Sequence, residues 1–205
     1  DRIRVAAYNL AYSYSALPNL DSTKFFLKIS EDLKTKKDDV PGYAVTQGLR
    51  GKIAYMEGDY AEAEKYFKES LDYYNSHKRQ ESFVAYFETT LFLAKIFESN
   101  GEIDEAIKVL NESIGSEAIY LGESLSRQVF IDLIKIYESR GDYFNSNRIF
   151  WAKERFEAEL ERRKIEQARN FSAELALYRG FQLENEVLSS RLSTVTLFSI
   201  IGGVF

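Results

Sequence analysis

Cysteine is absent from the 205 residues, and proline, with two, and histidine, with one, are nearly so. Without thiols the chain has no disulfides, no thiolate metal sites and no cysteine nucleophile. Its compartment stays open, because such a chain suits oxidising and reducing surroundings alike. The single His77 sits in the polar stretch NSHKRQES and reads as a solvated loop residue rather than a catalytic base. No cluster of His, Cys or Asp has ligand spacing, so neither a metal nor a cofactor is expected, and the segment reads as non-enzymatic. Two prolines and eleven glycines leave few helix breakers, while aromatic residues reach 15%. That balance favours long helices packed through large side chains. Positive charge is not concentrated either: the net charge is −5, lysines and arginines are scattered, and no nucleic-acid partner is expected. With Asp1 rather than Met in first place, the lack of a leader carries no information.

What the chain does have is a repeated phrase. The stretch GKIAYMEGDYAEAEKYF, Gly51 to Phe67, aligns with AYSYSALPNLDSTKFFL from Ala11, AKIFESNGEIDEAIKVL from Ala94 and IKIYESRGDYFNSNRIF from Ile134. A turn position holds Pro18, Gly58, Gly101 and Gly141, spaced by 40, 43 and 40 residues. After it a small residue recurs at Thr23, Ala63, Ala106 and Ser146, and Asp59 and Asp142 stand where they cap a second helix. Large residues recur at Leu27, Phe67, Leu110 and Phe150. Such a period marks stacked helix pairs, each too small to cover its own apolar face. Gly51 then reads as a helix crossing and Gly58 as a helix-ending turn. A phosphate loop is excluded, because no strand precedes it and no Lys-Ser/Thr closes it.

Gly51, Tyr55, Gly58, Asp59, Tyr60, Ala63 and Phe67 together resemble the tetratricopeptide repeat, and so do Ala94, Phe97, Gly101, Ile103, Ala106 and Leu110. The outer two units depart from it, with Ile134 at a small-residue position and Pro18 in place of the turn glycine. The resemblance implies an all-α helical solenoid of four helix pairs over residues 1–155, with the first helix of each pair lining a concave face. On that face Tyr8, Tyr12, Lys52, Tyr55, Leu91, Lys95, Ile131 and Lys135 are expected to meet a protein or peptide ligand. Lys52, Lys95 and Lys135 share one repeat position, as a row of ammonium groups suited to an acidic peptide would. Glu98 and Glu138, one turn along from Lys95 and Lys135, are equally placed to neutralise that row.

From Asp142 to Thr196 the chain runs without proline, and its one glycine there is Gly180. Residues 156–193 read as a long charged helix. Ala168, Phe171, Leu175 and Tyr178 follow 3-4-3 spacing, and after one three-residue step Phe181, Asn185, Leu188, Leu192 and Val195 follow 4-3-4-3. This is the pattern of a coiled-coil seam with a stammer near Gly180, and it implies a homodimer through the C-terminal helix. The alternative, over Trp151 to Ile165 above all, is a cap folded back on the repeats. From Leu192 to Phe205 no residue is charged. Residues 194–205 read as the opening part of a transmembrane helix, the whole needing about twenty residues.

The phrase LENEVLSSRLSTVTLFSIIGGVF is similar to junctions in bacterial membrane sensors, where a tetratricopeptide array precedes a signalling helix, one span and a histidine kinase or helix-turn-helix output. That resemblance implies a membrane-anchored input module with periplasmic repeats. A cytoplasmic face is also open, because eight basic and eight acidic residues between Lys153 and Arg191 leave orientation undecided. A non-switching scaffold of a membrane-associated complex is the alternative, and a soluble peptide-sensing regulator a third.

Overall fold

In the computed structural model, residues 2–17, 19–33, 40–77, 83–115 and 117–202 are described, with the side chains of 40, 41, 77, 117, 118 and 192–202 outside that description. Eight α-helices carry almost all of them, and no strand occurs among the described residues. They are α1 (Arg2–Ala16), α2 (Leu20–Asp32), α3 (Val40–Glu57), α4 (Tyr60–His77), α5 (Phe83–Asn100), α6 (Ile103–Ile114), α7 (Glu123–Ser139) and α8 (Tyr143–Gly202), with a 3-10 turn at Glu117–Tyr120. His77 closes α4 rather than standing in a loop. The chain divides into two compact units, Asp1–Lys153 and Glu154–Phe205.

Within the first unit, α1 packs on α2, α3 on α4 and α5 on α6, and each first helix also touches the next, α1 on α3, α3 on α5 and α5 on α7. The turns that fold the pairs are chemically alike. Gly58, Gly101 and Gly141 have φ of 81°, 79° and 71°, the left-handed region where a side chain is strained. The N–H of Asp59 donates to Ala54 O at 2.9 Å and that of Gly58 to Tyr55 O at 3.1 Å. This paired closure absorbs carbonyls that a helix end otherwise leaves open, and it recurs at Glu102 and Asp142. In the first pair Asn19 N–H reaches Tyr14 O in the same way. The second helices are capped by Asn19, Asp59 and Asp142, whose side-chain oxygens accept from Ser22, Glu62 and Asn145 N–H at 3.1 Å. Glu102, one methylene longer, makes no such bond.

The core follows the repeat register. Ala11, Ala94, Thr23, Ala63 and Ala106 are buried, and Leu27, Phe67 and Leu110 fill the space beside them. A Cβ on Gly51 would lie 2.5 Å from the Phe67 ring, so α3 and α4 cross here with no room for a side chain at 51. Phe67 also stacks on Phe92 of α5, with centroids 5.7 Å apart and planes at 12°, which ties the second pair to the third. The fourth position differs from expectation. Phe150 is 42% exposed, because no further first helix within the unit follows to cover it, and Ile149 is buried in its stead.

The seam residues belong to α8, which runs to Gly202. Every residue from Glu161 to Arg191 is exposed. Among the described residues no helix is long and apolar enough to cross a membrane. The expected span at 194–205, and Leu192 and Val195 of the seam, fall on side chains outside the described set.

Candidate functional site

Successive first helices line one narrow, tightly packed cleft. Tyr8 and Tyr12 come from α1, Val45, Gly48 and Lys52 from α3, and Glu88 and Phe92 from α5. The tyrosines, four residues apart on one face, stack with centroids 6.4 Å apart. The Lys52 side chain, only 10% exposed, runs between rings, its ammonium 5.5 Å from the Tyr12 centroid and 5.7 Å from that of Phe92. That ammonium forms an ion pair with the Glu88 carboxylate, which also accepts a hydrogen bond from the Tyr12 hydroxyl.

Burial, reinforced by Tyr74, Tyr12 and Glu88, holds the Tyr8 phenol far above the ordinary range. Burial and then the Glu88 carboxylate do the same for Tyr12. Both hydroxyls therefore stay protonated at any physiological pH and act as donors, not as bases or nucleophiles. The cleft presents aromatic surface, hydroxyl donors and an internally balanced charge pair, a chemistry of recognition.

A second cluster lies where α5 meets α7. Burial first, then Asp132, raises the Glu98 carboxyl above its usual range, and Lys95 and Lys135 oppose the rise. Lys95 and Lys135 are exposed, and Lys95 also sits 5.5 Å over the Phe92 ring. Asp132 accepts a 2.7 Å hydrogen bond from Gln128. A carboxylate with a raised folded pKa destabilises the fold at neutral pH, and that penalty fades as pH falls through the folded value towards the unfolded one. Glu98→Gln should therefore raise the melting temperature at pH 7 and make no difference in acid below the carboxylate range. A pH-independent difference would show that Glu98 acts through packing and not through its charge.

The structure thus brings Tyr8, Tyr12 and Lys52 into one cleft and sets Lys95 and Lys135 around Glu98. Tyr55 packs edge-on against Phe92 with centroids 4.9 Å apart, Ile131 is half-buried, and Leu91 is buried in the core. The three lysines share a register position but not an environment, since only Lys52 is enclosed and paired. Glu88, Phe92 and Asp132 were not anticipated. Glu88 stands one 43-residue period after Val45, so the register itself carried the signal. At the next interface that position holds Gln128, and a match for the Lys52–Glu88 pair is missing.

A second, roomier cleft of about 130 Å³ opens between α4, α5 and α6, where Lys68, Asp72, Tyr86, Glu105 and Lys108 contribute to its wall. Lys68 is paired there with Glu64 at 2.6 Å and lies 5.2 Å over Phe97. None of the ligand-facing residues expected from the sequence falls in it.

Residues 46–77, which cover most of α3 and all of α4, match the tetratricopeptide repeat family model. No curated protein matches the chain.

Proposed function

We propose, starting from that repeat match and from the continuity of the first-helix face, that the array is a protein-interaction module binding an extended peptide segment of a partner protein. The observation that carries this reading is the shared face: α1, α3 and α5 touch in succession and contribute aromatic rings and polar ends to the walls of one narrow cleft, an arrangement that suits a segment laid across several helices. Aromatic anchors with fixed rings bind at low entropic cost, and the protonated Tyr8 hydroxyl gives direction to a backbone carbonyl, the Tyr12 hydroxyl being held by Glu88. Lys95 and Lys135 extend the face towards α7 and favour acidic side chains on the ligand. Lys52, already neutralised by Glu88, contributes shape and ring contact in place of free charge.

The test is a binding screen of acidic peptides against the full chain, followed by Lys95→Glu/Lys135→Glu. Because the two ammoniums are exposed, the double reversal should leave the array folded, with some loss of stability where it crowds Glu98 with like charge, cut affinity for a selected acidic peptide by about tenfold and flatten its salt dependence. An unchanged affinity and salt slope would remove the lysines from the ligand surface.

In this reading α8 carries the consequence of binding onward. Placement as the input module of a membrane-tethered signalling protein is supported by the uncharged run Leu192–Phe205. The alternative, a scaffold without switching, uses the same ligand face. The two part at α8: hydrogen exchange between Glu161 and Arg191 should change on peptide addition for an input module and stay constant for a scaffold.

A further inference from the structure

Beyond Glu161 the described part of α8 is exposed on every side, yet its apolar residues fall in register. Ala168 and Leu175 occupy one seam position and Phe171 and Tyr178 the other, followed by Phe181, Asn185 and Leu188. Phe171 is 67% exposed and Phe181 63%, a large aromatic surface for a single helix to leave in water. The charges beside this stripe carry a second, independent regularity. Glu159 is satisfied within its own helix, taking Arg162 at 2.8 Å and Arg163 at 2.9 Å. Glu174 and Arg179, by contrast, enter no ion pair or side-chain hydrogen bond among the described residues. They are five residues apart, one too many for the i, i+4 pairing within a helix.

Five is the spacing at which flanking charges meet across two parallel helices. With Ala168 and Leu175 at the first core position of each heptad, Glu174 falls on the last flank before Leu175, and Arg179 on the flank just after Tyr178. In a parallel two-stranded seam those flanks face each other between copies. An antiparallel arrangement sets like flanks opposite, which would bring Glu174 against acid and Arg179 against base. Asn185 sits in the seam at the first core position of the following stretch, where two copies in parallel register place the carboxamides side by side.

We propose that the occupant of this face is a second copy of the same chain, aligned in parallel, with Glu174 of each copy paired to Arg179 of the other. The pairing is confined to residues 154–205 and uses no residue of the peptide-binding face.

Sedimentation equilibrium of the full chain tests it. The wild type should be a dimer. Glu174→Arg alone and Arg179→Glu alone should each weaken dimerisation by about tenfold, since two symmetric attractions become repulsions. Glu174→Arg/Arg179→Glu should restore the wild-type value to within about threefold, because the pair is rebuilt with its signs exchanged. Asn185→Cys, in a chain with no other cysteine, should crosslink to its counterpart under mild oxidation. The melting of the array monitors folding throughout, and these exposed positions should not move it. A monomeric or trimeric wild type, single reversals without effect, a double reversal no better than the singles, or no crosslink at 185 would each overturn the proposal.

Discussion

Phe67→Ala should destabilise the array by about 3–5 kcal/mol, the range for deleting a fully buried ring. Phe67 is 1% exposed, lies against Gly51 of α3 and stacks on Phe92 of α5, so its loss opens a cavity inside the second pair and at its junction with the third. In a repeat array, stability is a sum of unit and interface terms. The variant should therefore lower the urea midpoint and also split unfolding into two steps, as the two halves uncouple. Gly51→Ala tests the same contact from the other side. Alanine gains roughly 0.5–1 kcal/mol in helix propensity, but a methyl 2.5 Å from a ring that cannot move costs more, typically 1–3 kcal/mol for overpacking. The net sign is destabilising. Combining Gly51→Ala with Phe67→Leu should recover part of that loss, since the smaller side chain vacates the space the methyl needs. Fully additive effects would mean that the two residues do not share the crossing.

Lys52→Met should cost about 2–3 kcal/mol, somewhat less than the full penalty for breaking a buried ion pair, because Glu88 keeps some contact with water. The loss comes less from the missing attraction than from the carboxylate left among Tyr12 and Phe92 without its counter-charge. Lys52→Met/Glu88→Leu removes both charges and should recover most of the stability. That pattern separates a structural pair from a ligand-binding lysine: if the single variant leaves stability unchanged and only peptide affinity falls, Lys52 belongs to the ligand surface and the pair with Glu88 is incidental.

The helix pairs could be read from the sequence because their determinants are local. A glycine at the turn, an Asp one residue later and a small residue in the following turn of helix are each dictated by backbone geometry within ten residues. Gly58, Asp59 and Ala63 accordingly do what their spacing implies, and Gly51 is the crossing that its register suggested. Contacts between repeats were less legible, because they depend on how far each pair rotates relative to the last. That rotation decides which of two adjacent stripes on α5 faces α3. The expected stripe was Leu91 and Lys95; the structure turns Glu88 and Phe92 towards Lys52 and places Leu91 in the core. The same rotation separates the three lysines, since a Glu one period after Val45 captures Lys52, whereas the matching Gln128 offers Lys95 no charge. Phe150 is the converse case: its residue type fits the repeat, but its burial depends on a next helix that the unit does not supply.

The central claim is that the first-helix face, not the outer cleft beside α4 and α6, receives the partner. Amide hydrogen exchange of the full chain, with and without a peptide selected in the acidic screen, tests this most directly. The account predicts slowed exchange in α1, α3 and α5, strongest around Tyr8 to Tyr12 and Gly48 to Lys52, with α2, α4 and α6 unaffected. Protection centred on Lys68 to Asn75 and Glu105 to Glu112, with the first helices unchanged, would contradict it.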